Sequence, residues 1–311
     1  MANEHENLEE SSSSIVAPPP SPPWVELPWE VTMDILRRPG AIEIVESAQR
    51  VWNTWWKVCH NPAMWSVVDL KNEGDNFKMP WVLDKICRIA VDRSQGQLLK
   101  ISIDNFGSID MINYIAERSS QLRHLRVVKC YSNLVGGWAA AAKNFPLLEE
   151  LHIYFTLITK DDIESVGRYC PLLKSFTLNA TEYGNLIFPP SQCNDQALAI
   201  AKSMPKLRHL ALLQNSLTNK GLLAILDGCS LLESLDLRCC CCVDLEGDLE
   251  RRCMQQIVDL KRPGDSTHDY EFHSENQRRP SSDEDDDICY DYDYGLSLGD
   301  SREYDYDYDR L

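Results

Sequence analysis

A short phrase recurs along the middle of this chain and limits what it can fold into. It reads QLLKISIDNF from Gln97, QLRHLRVVKC from Gln121 and PLLEELHIYFT from Pro146. It returns as PLLKSFTLNAT from Pro171, PKLRHLALLQN from Pro205 and SLLESLDLRCC from Ser230. Each copy runs apolar, two variable, apolar, one variable, apolar. The first anchors are Leu98, Leu122, Leu148, Leu173, Leu207 and Leu232, at intervals of 24, 26, 25, 34 and 25 residues. Alternation puts Leu125 and Val127, or Leu235 and Leu237, on one face of a short strand. One such strand cannot bury that face alone. Stacked parallel on the next copy, with a helix returning behind, it makes a continuous core.

This pattern resembles the leucine-rich repeat, whose core is L-x-x-L-x-L at a period in this range. Three residues past the last anchor that class places Asn or Cys, which satisfies backbone groups at a turn. Cys130, Thr156, Thr181, Asn215 and Cys240 stand there, and Phe106 departs. The expected fold is therefore α/β, a solenoid of parallel strands with return helices. Helical patterns fall at 111–118, 138–143, 163–169, 196–203 and 221–226. The long interval is taken up by residues 182–195, EYGNLIFPPSQCND, an apolar loop with two prolines. Residues 246–260 are expected as one terminal helix covering the last repeat.

Charge separates the ends from the body. The net charge is −17, yet residues 263–311 hold 16 acidic and 4 basic side chains, and residues 1–23 hold four Glu and no Lys or Arg. The middle is nearly neutral. A phosphate-backbone binder wants a basic face, so no nucleic-acid partner is expected. No run of eighteen apolar residues is present, so no membrane partner is expected. The N-terminal stretch lacks the basic and apolar regions of a secretory signal, and the twelve cysteines are read as reduced thiols in a cytoplasmic and/or nuclear protein. Residues 1–23 read as a disordered leader and 263–311 as a disordered acidic tail, where SSDEDDD from Ser281 looks like an acidic-directed kinase site.

Residues 24–70 differ in character, holding six of the eight Trp. Pro28 suits a helix start, with Val31, Ile35 and Leu36 following. Ile44, Ala48, Val51, Trp52 and Trp55 then fall on one face of a second helical stretch, and Asn61-Pro62 opens a third turn. The stretch resembles an F-box. Leu27, Pro28, Glu30, Ile35, Leu36, Val51, Trp55 and Trp65 stand where that pattern wants them. The wording through about Arg262 is similar to plant F-box/leucine-rich-repeat proteins of the Skp-interacting-partner type. Pro39 stands for a usual Leu, Trp52 for a customary Cys in a packed spot, and Trp56 for a usual Arg. Residues 71–97 are expected to join the two parts as a capping repeat, with Trp65, Val68 and Leu70 as a degenerate first strand. The repeats proper and their cap span 98–262.

The resemblance implies a substrate-recognition subunit of an SCF (cullin-RING) ubiquitin ligase. Leu27, Pro28, Ile35, Leu36, Val51 and Trp55 would face a Skp-type adaptor and, through it, a cullin. The competing reading is a non-ligase interaction scaffold with a drifted F-box. Strand alternation sets three solvent-facing columns across the repeats. From them His124, Arg126, His152, Tyr154, His209 and Asp236 are candidates for contacting an unknown target protein, with Leu186 and Phe188 of the loop. These columns are either a concave binding surface or an unused solvated face. No phosphate-binding loop, nucleophile elbow, H-E-x-x-H or RING spacing occurs, so no catalytic residue, metal or cofactor is expected. The run CCCC at 239–242 has spacing poor for a metal, and a packing role competes with a redox one.

Overall fold

The structure, a computed structural model, describes residues 24, 27–72, 78–130, 134, 136–179 and 192–272. The leader, the loop residues Thr181, Leu186 and Phe188, and the tail from 273 onward, with its acidic kinase-like motif, lie outside the described residues. Met1–Ser266 form one compact unit and Thr267–Leu311 a second. In the second, the Tyr270 N–H donates to the Thr267 carbonyl at 2.9 Å.

The first unit opens with helices α1 (Trp29–Leu36), α2 (Ala41–Glu46) and α3 (Asn53–Cys59), with single turns at Ala48–Arg50 and Pro62–Trp65. Pro28 precedes α1, where its fixed φ suits a helix start. The chain then breaks at Pro39-Gly40. Gly40, at φ 89°, takes a left-handed conformation that a side chain would resist. The single helical stretch expected through Ile44 and Trp55 is divided. Trp52 is extended, at φ −154° and ψ 155°, and α3 starts after it. The apolar spacing survives the break because it marks a face, and a face does not require an unbroken helix. Asn61 caps the last turn, its side-chain oxygen accepting from the Ala63 N–H at 2.9 Å.

Among the described residues, eight parallel strands follow in sequence order: β1 (Val67–Leu70), β2 (Lys100–Asp104), β3 (His124–Val128), β4 (Glu150–Tyr154), β5 (Ser175–Asn179), β6 (His209–Ala211), β7 (Ser234–Asp236) and β8 (Asp259–Lys261). Behind them run α4 (Pro80–Ser94), α5 (Ile109–Arg118), α6 (Trp138–Ala142), α7 (Lys160–Tyr169), α8 (Asp195–Ser203), α9 (Asn219–Gly228) and α10 (Gly247–Gln256). Register stacks Val68, Ile101, Leu125, Leu151, Phe176, Leu210, Leu235 and Leu260 in one inward row. The 34-residue interval leaves this row intact. The Lys174 carbonyl still accepts from both Arg208 and His209 N–H groups, at 2.8 and 3.0 Å, as Glu149 does from Lys174 and Ser175 one repeat earlier.

The C-terminal end differs from the sequence expectation. The helix stops at Gln256, and β8 follows in the span expected to be helical up to Leu260. Ile257 lies 25 residues after Leu232, in step with the repeat, and Leu260 takes the second anchor position. The third anchor is Arg262, a polar residue, which conceals the copy from an apolar pattern.

The turn chemistry recurs in five of the repeats among the described residues. Just before the ladder position stand Asn105, Lys129, Phe155, Gln214 and Cys239, all at positive φ between 48° and 62°. The ladder residue then bonds locally or reaches back. Cys130 donates its thiol to the Phe106 carbonyl at 2.6 Å, and Cys240 to the Leu212 carbonyl at 2.7 Å. Thr156 accepts from the Cys130 N–H at 3.1 Å, and Asn215 accepts from the Leu217 N–H at 3.0 Å. Cys229, three residues before its Leu anchor, donates to the Met204 carbonyl at 3.5 Å. Burial pushes Cys130 and Cys240 up to about 12 and Cys229 to about 11, so all three remain protonated donors. The return helices are capped from the sequence: Thr159 and Asp162 form a reciprocal capping box on α7, and Ser108 accepts from the Met111 N–H on α5.

Candidate binding surfaces

The helical module buries one side of α1 and exposes the other. Thr32 and Leu36, four residues apart, face inward, while Val31 and Ile35 face solvent. Of the six residues expected to meet an adaptor, Pro28, Ile35 and Val51 are exposed, Ile35 at 37% and Val51 at 52%. Leu27 and Trp55 are half-buried, and Trp55 packs on the core. Leu36 is 1% exposed and belongs to the core, so its side chain supports the surface from beneath.

Sequence reasoning missed exposed apolar side chains on this module, among them Trp29, Val31, Trp52 and Trp56. Val31 was legible, since it lies one turn before Ile35 on the same helix face. Trp52 was read as crowding a packed position, and at 42% exposure it crowds nothing. The break before α3 turns it outward. A depression of about 450 Å³ lies among Gln49, Arg50, Val51, Trp52, Asn53 and Trp56.

The module is tied to the repeats through the last turn of α4. Arg93 donates from Nη2 to Gln49 Oε1 at 2.8 Å and approaches His60 Nε2 at 3.1 Å. Its guanidinium lies over the Trp65 ring, 5.4 Å from the centroid. His60 in turn stacks on Trp56 at 4.0 Å. Lys78 pairs with Glu46 at 3.0 Å across the same junction. β1 is the first strand of the common sheet, so the module runs directly into the solenoid.

The strand face holds the second set. Two of its candidates, His124 and His152, meet at one carboxylate, and Arg126 and Tyr154 pack beside them. His124 Nδ1 lies 2.9 Å and His152 Nε2 3.5 Å from Glu150 Oε2. His152 Nδ1 faces Thr177 Oγ1 at 2.9 Å. Arg126 donates to Ser102 Oγ at 3.1 Å and lies over the Tyr154 ring at 5.2 Å, while His152 stacks on Tyr154 at 6.4 Å. Burial disfavours ionisation of Glu150, but hydrogen bonds and charge from His124 and then His152 outweigh it, holding its carboxyl below the usual value. Burial is the main cause holding His152 below its usual value, against the pull of Glu150.

His209 and Asp236 do not join this group. His209 is exposed on β6. Asp236 on β7 is held by Arg238, Nη2 to Oδ2 at 2.7 Å. The expectation of three open columns is corrected. The first, with Lys100 and His209, is open, but the third is buried throughout: Asp104, Val128, Tyr154, Asn179, Leu213 and Arg238. Tyr154 is 9% exposed, which removes most of its ring from a partner's reach. Alternation assigns a side chain to a face, and it carries no information on what covers that face.

Among the described residues, no group of three or more His, Cys, Asp or Glu could hold a metal ion, and no helix is long and apolar enough to cross a membrane.

Comparison with known proteins gives the family. No family model matches the chain. A relative in Arabidopsis thaliana, provisionally named F-box/LRR-repeat protein 23, is 47% identical over 243 residues. That match covers 78% of this chain and 54% of the relative, so the chain spans about half of that protein. F-box protein SKIP19 of the same plant is 45% identical over 257 residues, covering 83% of this chain and 82% of the relative. Among solved structures, a yeast Rad7 and Elc1 complex contains a chain 13% identical, with a TM-score of 0.44, covering 71% of this chain and 56% of that one, a likeness too low to bear on function. An exposed apolar helical module fused to a parallel repeat sheet, with relatives of this identity and coverage, places the chain in the plant F-box/LRR-repeat protein family.

Proposed function

We propose that this chain is the target-recognition subunit of an SCF-type ubiquitin ligase, of the Skp-interacting-partner kind. The helical module docks a Skp-type adaptor and through it a cullin, and the repeat face holds a target protein. Members of this family are non-catalytic subunits, and the chain's contribution is positional. Holding a target beside a charged ubiquitin-conjugating enzyme raises the effective concentration of its lysines. Such a subunit works in the cytoplasm and/or nucleus.

The observation that carries this reading is the solvent exposure of Val31, Ile35, Val51, Trp52 and Trp56 on so small a module. Large apolar side chains grouped on a surface mark a contact with another protein. The polar group around Glu150 supplies hydrogen-bonding capacity of a different kind on the strand face, suited to selecting a partner. The domain division follows: the F-box through Leu70, a capping repeat, and repeats to about Arg262. The loop carrying Leu186 and Phe188 belongs to the target-binding rim in this reading.

The test is binary binding of the full chain to a recombinant Skp-type adaptor by calorimetry. Ile35→Asp and Val51→Asp each lower affinity at least tenfold while the melting temperature holds, because both sites are exposed. Absence of wild-type binding at micromolar concentration removes the ligase reading and leaves the interaction scaffold.

A further inference from the structure

The run of cysteines at 239–242 divides into two pairs with different surroundings. Cys239 fills the left-handed turn position, at φ 62°. Cys240 is the buried ladder residue whose thiol donates to the Leu212 carbonyl. Cys241 and Cys242 have neither task. Both are exposed in the turn between β7 and α10, with their Sγ atoms 3.8 Å apart. Cys193, just before α8, is partly exposed and close enough to act on Cys242.

We propose that Cys241 and Cys242 are a reversible redox pair, closed to an intramolecular disulfide by a hydroperoxide and reopened by a dithiol. One thiolate attacks a peroxide oxygen, and the O–O bond breaks. With hydrogen peroxide this leaves a sulfenic acid and one water. The second thiol attacks the sulfenic sulfur. The S–S bond forms, hydroxide leaves, and it takes the thiol proton to give a second water. Two thiols and one hydrogen peroxide thus yield one disulfide and two waters. A dithiol reverses the change by exchange, becoming a disulfide itself while both cysteines recover their protons.

Contact geometry supports the closing step, since the two sulfurs already lie 3.8 Å apart. The two thiols share a hydrogen bond in which either can be the donor, so either can make the first attack. Reversibility follows from ring strain. Adjacent Cα atoms lie about 3.8 Å apart, inside the roughly 4.4 Å at which ordinary disulfides begin. A disulfide between neighbours is therefore strained and readily reduced, the property of labile rather than structural bridges. The buried thiols do not compete: Cys130 and Cys240 are pushed up to about 12 and shielded from an oxidant.

The experiment uses the reduced full chain, treated with hydrogen peroxide, then alkylated under denaturing conditions and cut with trypsin. One peptide, between Arg238 and Arg251, carries all four cysteines of the run. The expected result is that this peptide takes two labels where the untreated sample takes four, and takes four again after dithiothreitol. Cys241→Ser and Cys242→Ser each abolish the protection, while Cys193→Ser retains it, and circular dichroism shows all three folded. Protection surviving in either of the first two variants overturns the proposal. So does a bridge to Cys193, a disulfide-linked dimer, unchanged labelling, or conversion to sulfinic acid with no disulfide.

Discussion

Leu210→Ala tests the register on which the fold rests. Leu210 is the central inward residue of β6, 2% exposed, between Phe176 and Leu235 on the flanking strands. Truncation removes three carbons, and at about 0.8 kcal/mol for each buried methylene the transfer loss alone is roughly 2.4 kcal/mol. The two flanking strands are hydrogen-bonded in place, so the site cannot collapse fully and a cavity remains. Together these give about 3–4 kcal/mol, within the usual range for buried Leu→Ala changes. The control is Leu231→Ala, in the same kind of residue at 52% exposure, where the loss is about 0.5 kcal/mol or less. Urea unfolding followed by far-ultraviolet circular dichroism measures both, with the slope reporting whether the unit still unfolds as one. A Leu210 variant within about 0.5 kcal/mol of wild type, or a Leu231 variant losing more than the Leu210 variant, refutes the inward row. Leu210→Asp is the extreme case: an unpaired buried carboxylate exceeds the stability of an ordinary domain, and the cooperative transition disappears.

Other sites give sharper contrasts. A Cβ on Gly228 would lie 2.2 Å from the Ala201 carbonyl oxygen, so Gly228→Ala forces α9 from α8 and costs about 1–3 kcal/mol in thermal unfolding. Leu36→Ala lowers stability by about 2–5 kcal/mol, whereas Ile35→Ala leaves it within about 0.5 kcal/mol, and adaptor affinity of the folded fraction separates support from contact. Because the folded pKa of His152 lies below its ordinary 6.5, its contribution is present above that value and is lost as pH falls through the folded pKa. His152→Gln therefore flattens the stability profile just below pH 6.5. Glu150 follows the same sign lower down: its depressed carboxyl supports the fold above its ordinary 4.5, and that support is lost on acidification below it. Glu150→Gln removes this second, more acidic step, and titrations of both variants by circular dichroism read the two windows apart.

What was determined locally was legible in the sequence. Leu125 and Val127, like Leu235 and Leu237, alternate and recur at near-constant interval, and no partner is needed to see that such strands stack in order. The five helical returns were equally plain, since helical spacing and propensity are carried within each segment. The degenerate strand at Val68 and Leu70 was found because its anchors are apolar. Its counterpart at Leu260 escaped because the third anchor is Arg262.

Tertiary structure decided which of these residues meet solvent. Leu36 and Ile35 are neighbours of like hydropathy, and only the packing of α1 buries the first and exposes the second. Trp52 turns outward because the chain is extended before α3, a backbone choice made by the module as a whole. His124, Glu150 and His152 come from two strands, and their meeting depends on register between repeats 26 residues apart. Tyr154 and His124 lie on the same face by alternation, yet the first is buried and the second half-exposed. Periodicity reports the direction a side chain takes from its own backbone. Whether water reaches it depends on chain brought there from elsewhere in the sequence, which no local pattern encodes.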